Sequence, residues 1–251
     1  MIKTGLASVS FRQNSVEEIV NAAAAAGLDG IEWGSDIHVP SGDLKKAEYV
    51  KNLCGSVGLS ISSYGSYFRF GVAENTDDGW AEYLKTASAL GTDVIRVWCG
   101  NKGSREISGE EYSLAVNQAK RFCKTALDFG ITAALECHNF TVTDDYNSSL
   151  KFLRDAGQKN LKMYWQPNQY KDAEYNLKSA KALSGVTENV HTFHWIGDNR
   201  YPLSDGIDVW KKYADIFKTQ NRDRYFLLEF MHDDDINSLS RTAEALRLII
   251  K

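Results

Sequence analysis

The sequence predicts an α/β protein folded as a single (β/α)8 TIM barrel. Three observations carry this expectation: the chain length, the number of strand-like runs and the interval between them. At 251 residues the chain has the usual size of one eightfold barrel. Eight short runs are apolar or β-branched and lack the alternation of a half-solvated sheet, as strands covered on both faces do. They begin near Lys3, Leu28, Leu59, Asp93, Ile131, Leu161, Val190 and Arg224, so by these numbers successive starts lie 25 to 38 residues apart. Each interval holds one strand, one helix and two short loops.

The helices between the strands have recognisable ends. Val16, Ile19, Val20 and Ala23 fall at core-facing spacing behind a Ser15-x-x-Glu18 capping box, and Gly27 marks the stop. Ser108-x-x-Glu111 opens another long helix that closes at Gly130, and the last helix carries Leu239, Ala243, Leu246 and Ile250. Three prolines and no low-complexity stretch leave no linker, so residues 1–251 are read as one domain. An open doubly wound sheet uses the same units, but eight of them favour closure. The first βα turn also lacks the glycine pattern that binds a dinucleotide.

Composition narrows the function. With 43% hydrophobic and 25% charged residues the chain can build an ordinary globular core without disulfides or a structural metal. Cys54, Cys99, Cys123 and Cys137 form no C-x-x-C pair and read as reduced thiols, which favours a reducing compartment. No apolar run suits a signal peptide or a membrane span, so a cytoplasmic protein without a membrane partner is expected. A net charge of −4 supplies no basic field for a phosphate backbone, which argues against nucleic acid.

In such a barrel the polar residues at the C-terminal ends of the strands face the site. That test selects Glu32, Arg96, Glu136, His138, Gln166, His194 and Glu229. A carboxylate buried at the end of an apolar strand costs several kcal/mol unless a cation or strong donor compensates it, so Glu136 and Glu229 demand a partner. Two carboxylates, one imidazole nitrogen and one amide oxygen suit a divalent ion such as Mn²⁺, Mg²⁺, Co²⁺ or Zn²⁺. The expected ligand set is Glu136, Gln166, His194 and Glu229, with Glu32, Arg96 and His38 around the same mouth. His191, just upstream of His194 and read on the same strand face, competes for the ligand role as a neutral hydrogen-bonded histidine. His138 either faces substrate or is a satisfied neighbour of Glu136. Trp33, Trp98, Trp165 and Trp195 fall near strand ends, where they wall a small polar substrate or simply fill the core. The Asp233–Asp235 run reads as a solvated helix start.

With these residues placed, the sequence resembles the xylose isomerase-like barrel superfamily, in particular its sugar phosphate isomerase/epimerase members. The likeness rests on GLDGIEWGSDIHVPSGD (27 to 43), ALGTDVIRVWCG (89 to 100), GITAALECHNFTVTD (130 to 144), MYWQPNQ (163 to 169), VHTFHWIGDNR (190 to 200) and YFLLEF (225 to 230). It implies metal ligands at the ends of strands five to eight, usually Glu, Asp, His and Glu, which Glu136, His194 and Glu229 match. Ketose 3-epimerases of this kind carry an arginine six residues past the metal histidine, the offset of Arg200 from His194, and a histidine three residues past the strand-six aspartate. Here that last pair reads Gln166 and Gln169, and Gln166 removes one negative charge from the ligand shell.

The resemblance implies a metal-dependent sugar or sugar phosphate isomerase/epimerase, with Glu136 and Glu229 as acid and base on opposite faces of the substrate. Gln169, Trp98 and His138 would touch the sugar or polyol. An inosose-type dehydratase begins with the same proton abstraction and is the nearest alternative. A non-catalytic sugar-binding barrel follows. An apurinic-site endonuclease is disfavoured by five histidines and an acidic chain. A homodimer is left open.

Overall fold

A computed structural model describes residues 1–72 and 77–251. Its barrel strands are β1 (Ile2–Ala7), β2 (Gly30–Gly34), β3 (Ser60–Phe70), β4 (Val94–Cys99), β5 (Thr132–Glu136), β6 (Leu161–Trp165), β7 (Thr187–Thr192) and β10 (Arg224–Leu228). They close in the order β1-β10-β7-β6-β5-β4-β3-β2, every neighbouring pair parallel. The crossover helices are α1 (Val16–Ala25), α2 (Leu44–Ser56), α3 (Asp77–Leu90), α4 (Gly109–Asp128), α5 (Tyr146–Ala156), α6 (Ala173–Leu183), α7 (Ile207–Lys218) and α8 (Leu239–Ile250). A short antiparallel ribbon, β8 (Trp195–Ile196) with β9 (Asn199–Arg200), follows β7. The α/β barrel expected from the strand rhythm is the observed fold. Among the described residues no helix is long and apolar enough to cross a membrane.

Both capping boxes form. Ser15 and Ser108 each accept from the backbone three residues on, while Glu18 and Glu111 reach back to the cap. Seven strands start within about two residues of their expected positions. The seventh does not: it begins at Thr187, not near Val190, and ends at Thr192, so His194 falls past its end. Its first residues, Thr187, Glu188 and Asn189, read as a loop in sequence, yet Asn189 closes two strand ends. Its Oδ1 accepts from the Tyr225 backbone at 2.9 Å and its Nδ2 donates to Ser62 O at 3.4 Å.

Side chains on a strand alternate between faces, so residues two apart look the same way. One set packs outward on the helices in a continuous core that includes Ile31, Trp33, Ile95, Val97, Leu135, Met163, Trp165, Val190, Phe226 and Leu228. The other set points into the barrel, where Val94, Ala134, Tyr164 and Leu227 form a separate small cluster with Tyr225 against it. Two residues further along these strands stand Arg96, Glu136, Gln166 and Glu229. An apolar plug therefore fills the lower barrel and the polar groups sit on top of it.

Strands β1 and β2 contribute almost no volume to that plug because β10 fills it. A Cβ on Gly5 would lie 2.5 Å from Leu227 Cδ2 and 2.7 Å from Gly30 O, closer than van der Waals contact permits. Gly5→Ala is thus expected to destabilise the protein by about 1–3 kcal/mol, as overpacked cores are. Denaturant unfolding measures this, and an unchanged midpoint would show that the plug can shift.

Candidate active site

The site begins with one cation. Arg96, on β4, is buried, and its guanidinium donates Nε to Glu32 Oε1 at 2.9 Å and Nη1 to Glu136 Oε2. The space it needs is left by β3: a Cβ on Gly65 would come within 2.8 Å of both Arg96 Nη2 and Glu32 Oε1. Trp98, two residues past Arg96, donates its indole N–H to the same oxygen of Glu136. Its ring stacks on His138 with centroids 4.4 Å apart, and the Arg69 guanidinium covers it at 3.7 Å.

Three glutamates share this volume with Arg96, and their environments differ. Burial would push each carboxyl up. For Glu136 the charge of Arg96 overrides burial and holds it near 2, and Arg96 and His191 hold Glu32 well below the usual carboxylate range. Glu229 has no arginine bonded to it. Burial raises it, and with Glu136 and Glu32 nearby it reaches about 7 despite His191 and Arg96. Burial alone would push the His191 imidazole down, but Glu229 and Glu32 carry it up to about 10.

His191 is the histidine that completes the cluster. Its Nδ1 lies 3.1 Å from Gln166 Oε1, 3.4 Å from Glu229 Oε2 and 3.8 Å from Glu136 Oε1. On the other side its Nε2 is 3.4 Å from Glu32 Oε1, an ion-pair contact too poor for a full hydrogen bond. Ligand atoms of Glu136, His191 and Glu229 all lie within 4.8 Å of one another, and Gln166 Oε1 faces the same nitrogen. These donors fit a divalent cation in number, type and placement: two carboxylates, an imidazole and an amide, with Glu32 behind the histidine to fix its orientation.

The cluster forms the floor of a cavity of about 310 Å³. Of the expected site residues, Arg96, Trp98, Glu136, His138, Gln166, Gln169 and Glu229 line it, together with Trp195 from among the aromatic candidates. Four expectations are corrected. His194 lies outside the cluster, beyond the end of β7, against Tyr201 and Gly206. It lies three positions past His191, an odd offset, so the two cannot share a strand face. Arg200 fails with it: six residues past His191 is Gly197, and Arg200 is instead tied to Asp234 at 2.6 Å over the Trp195 ring. Glu32 sits beneath the cavity as the partner of Arg96 and does not line it. His38 is buried under the loop after β1, with Ser8 Oγ at 3.0 Å from Nδ1 and Asn14 O at 3.2 Å from Nε2.

Sequence reasoning missed Arg12, Tyr67, Phe140, Phe193 and Phe230, which also line the cavity. Arg12 is anchored by Asp36 Oδ2 at 2.5 Å and Tyr67 at 2.7 Å. Its place directly after the β1 run was the available signal, since every βα loop of a barrel opens on the site. Removing the central cation should unseat the cluster. Arg96→Met leaves Glu32 and Glu136 buried without a counter-charge and is expected to cost about 3–5 kcal/mol. Denaturant unfolding at pH 7 and pH 5 checks it; the loss should shrink at the lower pH as the freed carboxyls take up protons. An equal loss at both values would refute the electrostatic account.

Residues 20–251 match the family model described as xylose isomerase-like TIM barrel. Over 169 residues the chain is 28% identical to a 3-dehydroshikimate dehydratase of Bacillus anthracis, a match covering 64% of this chain and 60% of that protein. The crystal structure of the probable 3-DHS dehydratase AsbF from Bacillus anthracis superposes with a TM-score of 0.81 at 21% identity, covering 98% of each chain. That of D-psicose 3-epimerase from Clostridium cellulolyticum H10 gives 0.73 at 15%, covering 99% of each. At these identities the two structural matches speak to the fold alone. The family model extends over nearly all of the chain, which therefore belongs to the xylose isomerase-like TIM barrel family.

Proposed function

We propose that this protein is a metal-dependent dehydratase that removes a proton from the carbon next to a carbonyl in a polyhydroxylated ketone and expels the β-hydroxyl as water. The observation that carries the reading is the unequal setting of the two cavity glutamates. Glu136 is bound on one oxygen by both Arg96 and Trp98 and is held as an anion, whereas Glu229 bonds to no arginine or tryptophan. Epimerisation needs two groups that exchange protons on opposite faces of the substrate. Elimination needs one base and an acid for the leaving oxygen. The similarity to the 3-dehydroshikimate dehydratase supports the same choice.

A divalent ion held by Glu136, Gln166, His191 and Glu229 would polarise the carbonyl and acidify the neighbouring C–H. Glu229, as carboxylate, accepts that proton and leaves the electron pair as an enolate. The enolate then collapses: the carbonyl re-forms, a new double bond joins the α- and β-carbons, and the β-carbon–oxygen bond breaks. His138, at the cavity wall beside Trp98, would protonate the departing hydroxyl. The proton gained by Glu229 returns to solvent and His138 is recharged, so the sum is substrate minus water. Glu32 and Arg96 take no proton; they keep His191 and Glu136 aimed.

Incubation with 3-dehydroshikimate, inososes and ketoses in D2O with Mn²⁺, followed by NMR, reports both abstraction and product. The expected result is an unsaturated product from one ketone and loss of both abstraction and product in Glu229→Gln, by about a hundredfold or more. An epimer without an unsaturated product would return the protein to the isomerase/epimerase class. No bound metal and no exchange at millimolar Mn²⁺ would leave a binding barrel.

Metal binding should also be visible as proton release. In the metal-free protein at pH 7, the surrounding glutamates keep His191 protonated, and Glu229, raised to about 7, is partly protonated. A cation requires the neutral imidazole and the carboxylate, so both raised values make protons compete with it. Calorimetry near pH 7 in buffers of different ionisation enthalpy is expected to show release of about one to two protons per ion. Affinity should fall as the pH drops. Binding without proton release would mean that His191 is not a ligand.

A further inference from the structure

Among the described residues, three non-glycine positions have positive φ: Phe140 at 60°, Phe230 at 44° and Asp234 at 49°. Aspartate tolerates this region, but phenylalanine gains nothing there and is held by its surroundings at a cost. Both phenylalanines line the central cavity. They come from the end of β5 and the end of β10, three strands apart around the eight-strand ring.

Packing does not explain Phe140. The residue is 73% exposed, so little buried apolar surface offsets the backbone strain. The loop is not free to relax either. Thr141, Val142 and Thr143 are buried, the Val142 N–H donates to Cys99 O at 2.9 Å and the Thr143 hydroxyl to Glu136 O at 2.5 Å. On the other side of Phe140, Asn139 Oδ1 accepts from Asn168 Nδ2 at 2.8 Å. Phe230 is fixed as firmly, its N–H donating to Ser10 Oγ at 2.9 Å and its ring flanked by Trp195 and by the guanidinium groups of Arg12 and Arg200. Phe230 is thus packed in place, whereas Phe140 is a strained aromatic residue held bare at the cavity mouth, as a stacking surface for a ligand would be.

We propose that Phe140 is an aromatic platform at the cavity mouth that makes the site selective for ring-closed polyhydroxy compounds over open-chain ones. The C–H face of a closed ring stacks on an aromatic ring, and an extended chain offers no such face. The inference takes from the proposed function only that the ligand is polyhydroxylated, so its test uses ligands that cannot react.

Saturation-transfer NMR of the protein, with and without added Mg²⁺, should give tighter binding of myo-inositol than of its open-chain counterpart sorbitol. Phe140→Asn should weaken inositol by about two- to tenfold, the range of one aromatic contact, and leave sorbitol unchanged. Phe140→Tyr should keep the preference. Because asparagine accepts positive φ, the Phe140→Asn protein should melt no more than about 4 °C below wild type. Equal binding of the two polyols, an equal loss of both in Phe140→Asn, or a larger fall in melting temperature would overturn the role given to Phe140. Failure of the dehydration reading with the inositol preference intact would leave it standing.

Discussion

One guanidinium holds this site together. Three buried glutamates around a single cavity floor would repel one another and resist ionising, and Arg96 makes the arrangement tolerable by bridging Glu32 and Glu136 from below. Much else follows from where that cation must sit. Gly65 stays bare because the ion pair occupies the space of its Cβ. Trp98 is placed by strand parity to bind the outer side of the same carboxylate, and Glu32 faces His191 with its remaining charge. A buried ion network of this kind adds little to stability over an apolar core; its value is the fixed direction it gives each group.

The fold was legible because the barrel repeats a short physical rule eight times, and a rule stated eight times survives errors in single units. Glu136, Gln166, Arg96, Trp98 and Glu229 were legible for the same reason: each ends an apolar strand at the parity of the barrel interior. His191 was misjudged because Thr187, Glu188 and Asn189 carry loop-like side chains while forming the start of β7, which displaced the expected strand by three residues and made His194 look like its end. Arg200 inherited that error through its offset. Glu32 has the right parity but sits one layer too deep, under Arg96. Residues such as Arg12 and Phe140 are set by how loops fold over the mouth, which no strand pattern records.

The two cavity glutamates show how one residue type acquires two characters. Glu136 and Glu229 end equivalent strands and touch the same histidine, so strand position alone would give them equal roles. The difference comes from β4, which supplies Arg96 and Trp98 to Glu136 and is too far around the ring to serve Glu229 in the same way. Glu229 is left with His191 as its nearest cation and with Glu136 and Glu32 as neighbours that oppose its charge. One carboxyl is a fixed anion and the other can exchange a proton near neutrality.

Gln166 completes the electrostatic logic. With a proton on His191, the charges of Arg96 and His191 stand against three carboxylates, and partial protonation of Glu229 near pH 7 reduces the remaining excess. An aspartate at position 166 would add a fourth carboxylate that nothing in the described structure offsets until a cation arrives. The amide places an oxygen 3.1 Å from His191 Nδ1 without that charge. Under the proposed function, the same pocket would hold either a proton on the histidine or a divalent ion among the four donors. A ligand shell with one carboxylate fewer holds its ion less tightly but leaves more of the ion's field for substrate oxygens. In a reaction limited by how strongly a carbonyl is polarised, that exchange favours the amide.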